Sequence, residues 1–305
     1  MKNWKSEARR SPSGKSLRLL AAAGLAALLS GCASLEKQAL ELTEKIRSTR
    51  PETENAFPPE VRIPPAGTPV TPEDLAGLPD PVRRYFEQSG VLGKPRINSF
   101  SAVLTGRIRN SGESGWMPLK MRQYNRLDLP ARVVYIESRR PLMAGVDSYT
   151  GGSGRMVIRL LNLVTLEDSR GPEMDRSGLV TFLNDLTFCP LACFSLPLVW
   201  TGVDENRAEL SLTLYGTTVR ALLTFDALGR IANWESTDRY ASVKGRNLPD
   251  RWSTPFDRYG EAAGMSIPVA GRGVHDYDGR PYDYIELQEI RSLRLDPPGL
   301  PSRRD

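Results

Sequence analysis

The chain has 305 residues, 25% of them charged and 40% hydrophobic. This excludes collagen-like, wholly disordered and multi-span membrane classes. The formal charge of +5 is local: six of the 41 basic residues and one of the 36 acidic ones lie in residues 1–31, leaving 35 of each elsewhere, so the net charge gives no ground for a nucleic-acid partner.

Residues 1–31 read as a secretory signal. A basic stretch ends at Arg18, and Leu19 to Ser30 is an apolar run shorter than the roughly 20 residues a spanning helix needs. It closes on Leu29-Ser30-Gly31-Cys32, which resembles the bacterial lipobox, in which small residues let a peptidase grip extended backbone and the cysteine thiolate takes a diacylglycerol. The resemblance implies a membrane anchor at Cys32, with each buried methylene contributing about 0.8 kcal/mol. Ala33, not Asp, follows the cysteine, which by the same resemblance implies the outer membrane, facing the periplasm, in a two-membrane envelope. Arg9-Arg10 runs into Ser11-Pro12 and fits a twin-arginine signal badly. Ser13-Gly14-Lys15-Ser16 lacks the earlier glycine of a phosphate-binding loop, since Arg9 stands in its place.

Residues 32–50 form a lipid-anchored tether helix in this reading. Leu35, Ala39, Leu42 and Ile46 recur at helical spacing, a narrow stripe that suits the domain, a partner helix or a lipid surface, with a partly solvated tether the plainest expectation. Nine of the 24 prolines fall between Pro51 and Pro81, so residues 51–72 read as a semi-rigid spacer. A single β-rich domain over 73–296 and a loose tail over 297–305 complete the chain.

The domain opens on Asp80-Pro81-Val82-Arg83-Arg84-Tyr85-Phe86, a helix start with Asp80 as cap and Pro81 in the first turn, ended by Gly90 or Gly93. The period then becomes two. Phe100, Ala102, Leu104 and Ile108 alternate with polar residues. So do Met156, Ile158, Leu160, Val164 and Leu166, then Ala208 to Leu214, then Val219 to Phe225. Each set suits a sheet with one buried face. Asp278-Gly279 marks a hairpin turn. Leu179, Val180, Phe182, Leu183 and Leu186 interrupt the strands with a helix. The expected fold is mainly β with a few helices (α+β): nine to eleven antiparallel strands in a curved sheet, a half-barrel or barrel-like form, with helices packed on or in it.

Leu78-Pro79-Asp80-Pro81-Val82-Arg83-Arg84-Tyr85, Trp116-Met117-Pro118-Leu119, Asp147-Ser148-Tyr149, Gly151-Gly152-Ser153-Gly154 and the helix from Gly178 to Asp185 resemble, in that order, an uncharacterised bacterial family that carries a domain-of-unknown-function label. The resemblance covers about residues 75–295, implies no catalytic residue, and breaks at Cys189 and Cys193. The architecture is also similar to the half-barrel of periplasmic lipoprotein carriers and lipoprotein-sorting proteins, which implies an apolar cavity that takes acyl chains.

No catalytic constellation, metal site or cofactor motif is visible. His275, the sole histidine, lies in His275-Asp276-Tyr277-Asp278-Gly279. The glycine and the bidentate acid of a calcium loop are missing, since Pro281 and Leu287 stand there, and one histidine without cysteine pairs cannot make a zinc cluster. A solvated turn is expected. Ser153 is one residue too close to its neighbouring glycines for a nucleophile elbow, and Gly151 to Gly154 read as a flexible hairpin loop. Cys189 and Cys193 are spaced one residue too far apart for a redox pair and suit either a local disulfide or two buried thiols. Trp116, Tyr135, Tyr149, Phe182, Trp200, Phe225 and Trp234, with Arg239 at the rim, are the candidates for an apolar ligand cavity. The expected function is therefore a membrane-anchored envelope lipoprotein that binds a lipid, an acyl chain or a lipidated protein without catalysis. A structural lipoprotein holding an envelope complex is the alternative, and a hydrolase with an unrecognised site the third.

Overall fold

The computed structural model describes residues 35–51, 56–139, 142–243 and 245–305. The signal segment and Cys32 lie outside them. Thirteen strands form one antiparallel sheet: β1 (Ser99–Ile108), β2 (Met117–Arg126), β3 (Ala131–Arg139), β4 (Leu142–Thr150), β5 (Ser153–Leu160), β6 (Val164–Ser169), β7 (Val199–Asp204), β8 (Arg207–Leu214), β9 (Thr217–Phe225), β10 (Ile231–Val243), β11 (Arg246–Ala262), β12 (Met265–His275) and β13 (Tyr282–Leu295). Their order is β6-β5-β4-β3-β2-β1-β13-β12-β11-β10-β9-β8-β7. Two meanders are thus joined where β1 pairs with β13, and the curved sheet stays unclosed, with β6 and β7 as its edges.

Two strands more than the upper expectation are present, and the reason lies in β2, β3 and β4. Helix α1 (35–48) lays Leu35, Ala39 and Ile46 against Tyr124, Val133, Tyr135, Val146 and Val157 on the convex face. Strands covered on both faces lose the alternation that betrays a half-buried strand. The stripe read as a partly solvated tether is therefore docked on the domain.

Buried charge fastens α1. Glu36 accepts from Arg122, which is almost wholly buried, and from Arg303. The hydrogen bond from Arg303 and the charge of both arginines hold the Glu36 carboxyl below the usual carboxylate range, against its burial. Arg122 also donates to the carbonyl of Pro301, and Arg294 pairs with Asp305. The residues read as a loose tail are pinned because their polar groups complete this cluster. The proline-rich segment is no free spacer either. Ala56 accepts from the Tyr215 amide, Gly67 donates to Arg96 and Val70 to Lys94.

Helix α2 (Asp80–Ser89) ends at Gly90, whose φ of 76° is the left-handed cap that glycine supplies. It buries Val82, Tyr85 and Phe86 in the main core. Helix α3 (Pro172–Asp185) leaves edge strand β6 and crosses the concave side to contact both β4–β5 and β9–β10. The turns at 186–195 then lead to the opposite edge, β7. Gly154 makes the crossing close: a Cβ there would stand 2.1 Å from the Met174 carbonyl oxygen. Its amide donates to Asp175 at 2.8 Å. The glycines read as a flexible loop lead instead into β5, where α3 needs the space.

Candidate functional site

Helix α3 divides the interior. Leu179, Phe182, Leu183 and Leu186 point into the aromatic core. Met174, Ser177, Gly178 and Thr181, one turn apart on the other face, border a cavity of about 440 Å³. Its far wall comes from the concave positions of β2 to β5, including Met117, Ile136, Met143, Met156 and Ile158. Four of the chain's seven methionines line it, and unbranched thioethers repack around ligands of varied shape. The volume falls at the small end of the range of about 300–1,000 Å³ for small-molecule sites, which are largely apolar with a few convergent polar groups.

One wall is polar. Strand β10 pairs Ser236 with Trp252 and Arg239 with Asp250, so three steps on β10 match two on β11. This bulge reverses the parity of the strand. Trp234 and Arg239 are an odd number of residues apart, yet both face inward. The guanidinium of Arg239 lies 4.2 Å from the Trp252 ring and donates to the Thr181 hydroxyl. Its Nε has no acceptor, and among the described residues no carboxylate forms an ion pair with it. Burial pulls its pKa below the usual guanidinium value, with Asp250 and Asp147 working against that.

His275 is not in a solvated turn. It ends β12, is 6% exposed, and borders the cavity. Its Nδ1 lies 2.6 Å from Asp250 Oδ2, while Asp250 Oδ1 accepts from the Asp276 amide. Trp252 meets the ring edge-on at 4.9 Å and Tyr284 lies tilted against it at 4.7 Å. The close approach of Trp252 depends on Gly273, where a Cβ would stand 2.5 Å from the indole. Burial pushes the His275 pKa down, opposed by the hydrogen bond and charge of Asp250 and aided by the charge of Arg239, so at neutral pH the neutral ring donates from Nδ1 to Asp250. Among the described residues no serine hydroxyl or thiol bonds to this ring. Beside it, Arg132 bridges Asp147 on the cavity wall to Asp185 at the end of α3. Burial raises the Asp185 pKa, countered by Arg132.

Of the residues expected to line a cavity, Arg239 does so. The aromatics are elsewhere. Tyr149, Phe182, Phe225 and Trp234 are buried in the solid core, and Trp200 packs at its margin. Tyr135 belongs to the convex cluster under α1, with Arg122 stacked on it. Trp116 is half-buried between Arg107 and Arg109. Cys189 and Cys193 are free thiols, and burial pushes Cys189 up to about 12. Asp250 and the tyrosines around His275 escaped the sequence reading; the run of aromatic residues at Tyr277, Tyr282 and Tyr284 was the available signal.

A family model described as "Family of unknown function (DUF6544)" matches residues 68–287. No curated protein matches the chain. Among solved structures, a DUF1329 family protein from Desulfovibrio piger is similar at 14% identity with a TM-score of 0.39, over 72% of this chain and 94% of that one.

Proposed function

We propose that this chain, which belongs to the family of unknown function DUF6544, binds a hydrophobic molecule in its half-open interior, without chemistry, while a lipidated Cys32 holds it to an envelope membrane. The observation that carries the reading is the cavity itself: about 440 Å³, walled by methionines and branched aliphatics on one side and by tyrosines and polar groups on the other, in a fold whose other core is filled.

The mouth supports a membrane source for the ligand. Leu166 borders the cavity and is 54% exposed, and Leu163, at 60%, and Val164 stand bare beside it on the β5–β6 hairpin. Contiguous exposed apolar groups mark interaction surfaces. Glu36 meets Arg122 and Ile46 meets Arg126, so α1 runs alongside β2. Its first residue points toward the end of the sheet where β2 begins, β3 ends and the cavity opens. Three positions separate Leu35 from Cys32, a reach of roughly 10 Å. An acylated Cys32 would set mouth and bare leucines against the same bilayer. Ala33 after the cysteine favours the outer membrane, facing the periplasm.

Native mass spectrometry of protein made in its own host tests both halves. The expected spectrum shows an amino terminus at Cys32 with added acyl mass, and a retained hydrophobic ligand. An intact amino end without lipid removes the anchor. Protein that carries no ligand and binds no fluorescent fatty acid removes the carrier reading.

A further inference from the structure

The cavity is apolar over the larger part of its wall, yet Arg239 is aimed into it by a bulge, held over the Trp252 ring and, among the described residues, in no ion pair, the nearby carboxylate of Asp147 being taken by Arg132. Cations inside a fold are normally paired, because an unpaired one forfeits its hydration. The buried arginines obey this: Arg132 has Asp147 and Asp185, Arg122 has Glu36, Arg126 has Asp128, and Arg96 has Asp74. Arg239 is half-buried, with the cavity as its open side. Asp250 lies opposite Arg239 in the strand register but spends both oxygens on His275 and the Asp276 amide. The Thr181 hydroxyl is the one acceptor that the described residues supply, leaving most of a five-donor fork unanswered.

We infer that the ligand is a single-chain amphiphile with an acid head group, a carboxylate or a phosphate monoester, whose oxygens meet Arg239 while its chain lies among Met117, Met143, Met156 and Met174. This rests on the cavity reading and names its ligand class. The guanidinium fork matches the paired oxygens of both head groups. The neutral His275 ring, held from behind by Asp250, flanks the same corner and adds no second charge there. The modest volume suits one chain better than two.

The test uses the full chain in phosphatidylcholine nanodiscs. Dodecanoate, dodecyl phosphate and dodecanol are titrated calorimetrically, with empty nanodiscs subtracted. At least one of the two acids should bind tenfold or more tighter than the alcohol. That preference should vanish in Arg239→Gln and survive in Arg239→Lys, with circular dichroism run on each sample. Equal affinity of acids and alcohol in the unaltered protein overturns the head-group inference and leaves the cavity reading standing. Binding of none of the three overturns both. The unaltered protein gives a second readout that needs no variant to fold. The carboxyl carbon of bound ¹³C-labelled dodecanoate should titrate at a lower pH than in nanodiscs alone, and an unchanged or higher titration contradicts contact with Arg239.

Discussion

The two sides of α3 solve opposite problems with the same helix. On one side aromatic rings close on each other: Phe86 on Phe194 at 4.7 Å, Tyr85 on Phe225 at 5.9 Å, Tyr149 on Phe182 at 6.4 Å. Rigid rings with large areas fill space and hold neighbours in register. On the other side methionine, isoleucine and small residues face a wall of tyrosines with Arg239 and His275, and space is left over. Hollows lose dispersion contacts and are destabilising, so the solid half must carry the stability that the open half forgoes. Among the described residues no phenylalanine or tryptophan borders the cavity, so those side chains mark where a ligand does not go, while tyrosines stand on both sides.

That contrast is open to direct attack. The largest effect belongs to Phe182→Ala, which empties a fully enclosed site and should lower unfolding stability by about 3–5 kcal/mol. Met143→Ala trims a wall that already faces open space and should lose less than about 1 kcal/mol. Urea denaturation of both variants at unchanged slope measures the difference. Equal losses would mean that the cavity side is as solid as the core. Next in size is Gly154→Ala, whose new methyl would stand 2.1 Å from the Met174 carbonyl oxygen. Backbone cannot yield as a flexible side chain does, and overpacking of this kind loses about 3 kcal/mol. It should lift α3 off β5 and so weaken ligand binding as well as folding. Stability near that of the parent chain would show that the partition helix rides loosely over the sheet.

The curved antiparallel sheet was legible because β8 and β9 alternate strictly, Ala208 to Leu214 and Val219 to Phe225, and their inner residues are buried. Helix α3 was legible in Leu179, Phe182 and Leu183. The site was mostly not, for physical reasons. The inward aim of Arg239 depends on a bulge, and parity counting along β10 cannot see one. His275 stands where a strand runs into a polar turn, and its burial comes from Trp252 on a neighbouring strand and Asp250 two residues before that. The docking of α1 and of residues 297–305 rests on Glu36, Arg122 and Arg303, which meet only in the folded chain. Local pattern reports which face of a strand is apolar; it does not report whether the space beyond that face is filled.

His275 offers the gentlest probe of the open side. Its pKa in the folded chain is lowered from an ordinary value of 6.5. As pH falls through 6.5 the unfolded chain takes up a proton that the folded chain declines, so unfolding stability must drop. The loss continues until pH reaches the lowered folded value and then stops. Carboxylates with depressed values, such as Glu36, hold their contribution until lower pH, below an ordinary 4.5, so the windows separate. The groups facing the ring are Asp250, Arg239, Tyr277, Tyr282 and Tyr284. Arg239 is the one among them whose charge disfavours protonation. Arg239→Gln should therefore raise the pKa of the ring and shrink the loss, while His275→Gln should abolish it. An acid ligand seated on Arg239 should act in the same direction as Arg239→Gln, by placing negative charge beside the imidazole. Denaturation curves between pH 7 and about 5, with and without dodecanoate, read all three effects. A flat profile in the ligand-free chain would show that Asp250 offsets burial and Arg239 together, and the imidazole held neutral beside Arg239 would be lost with it.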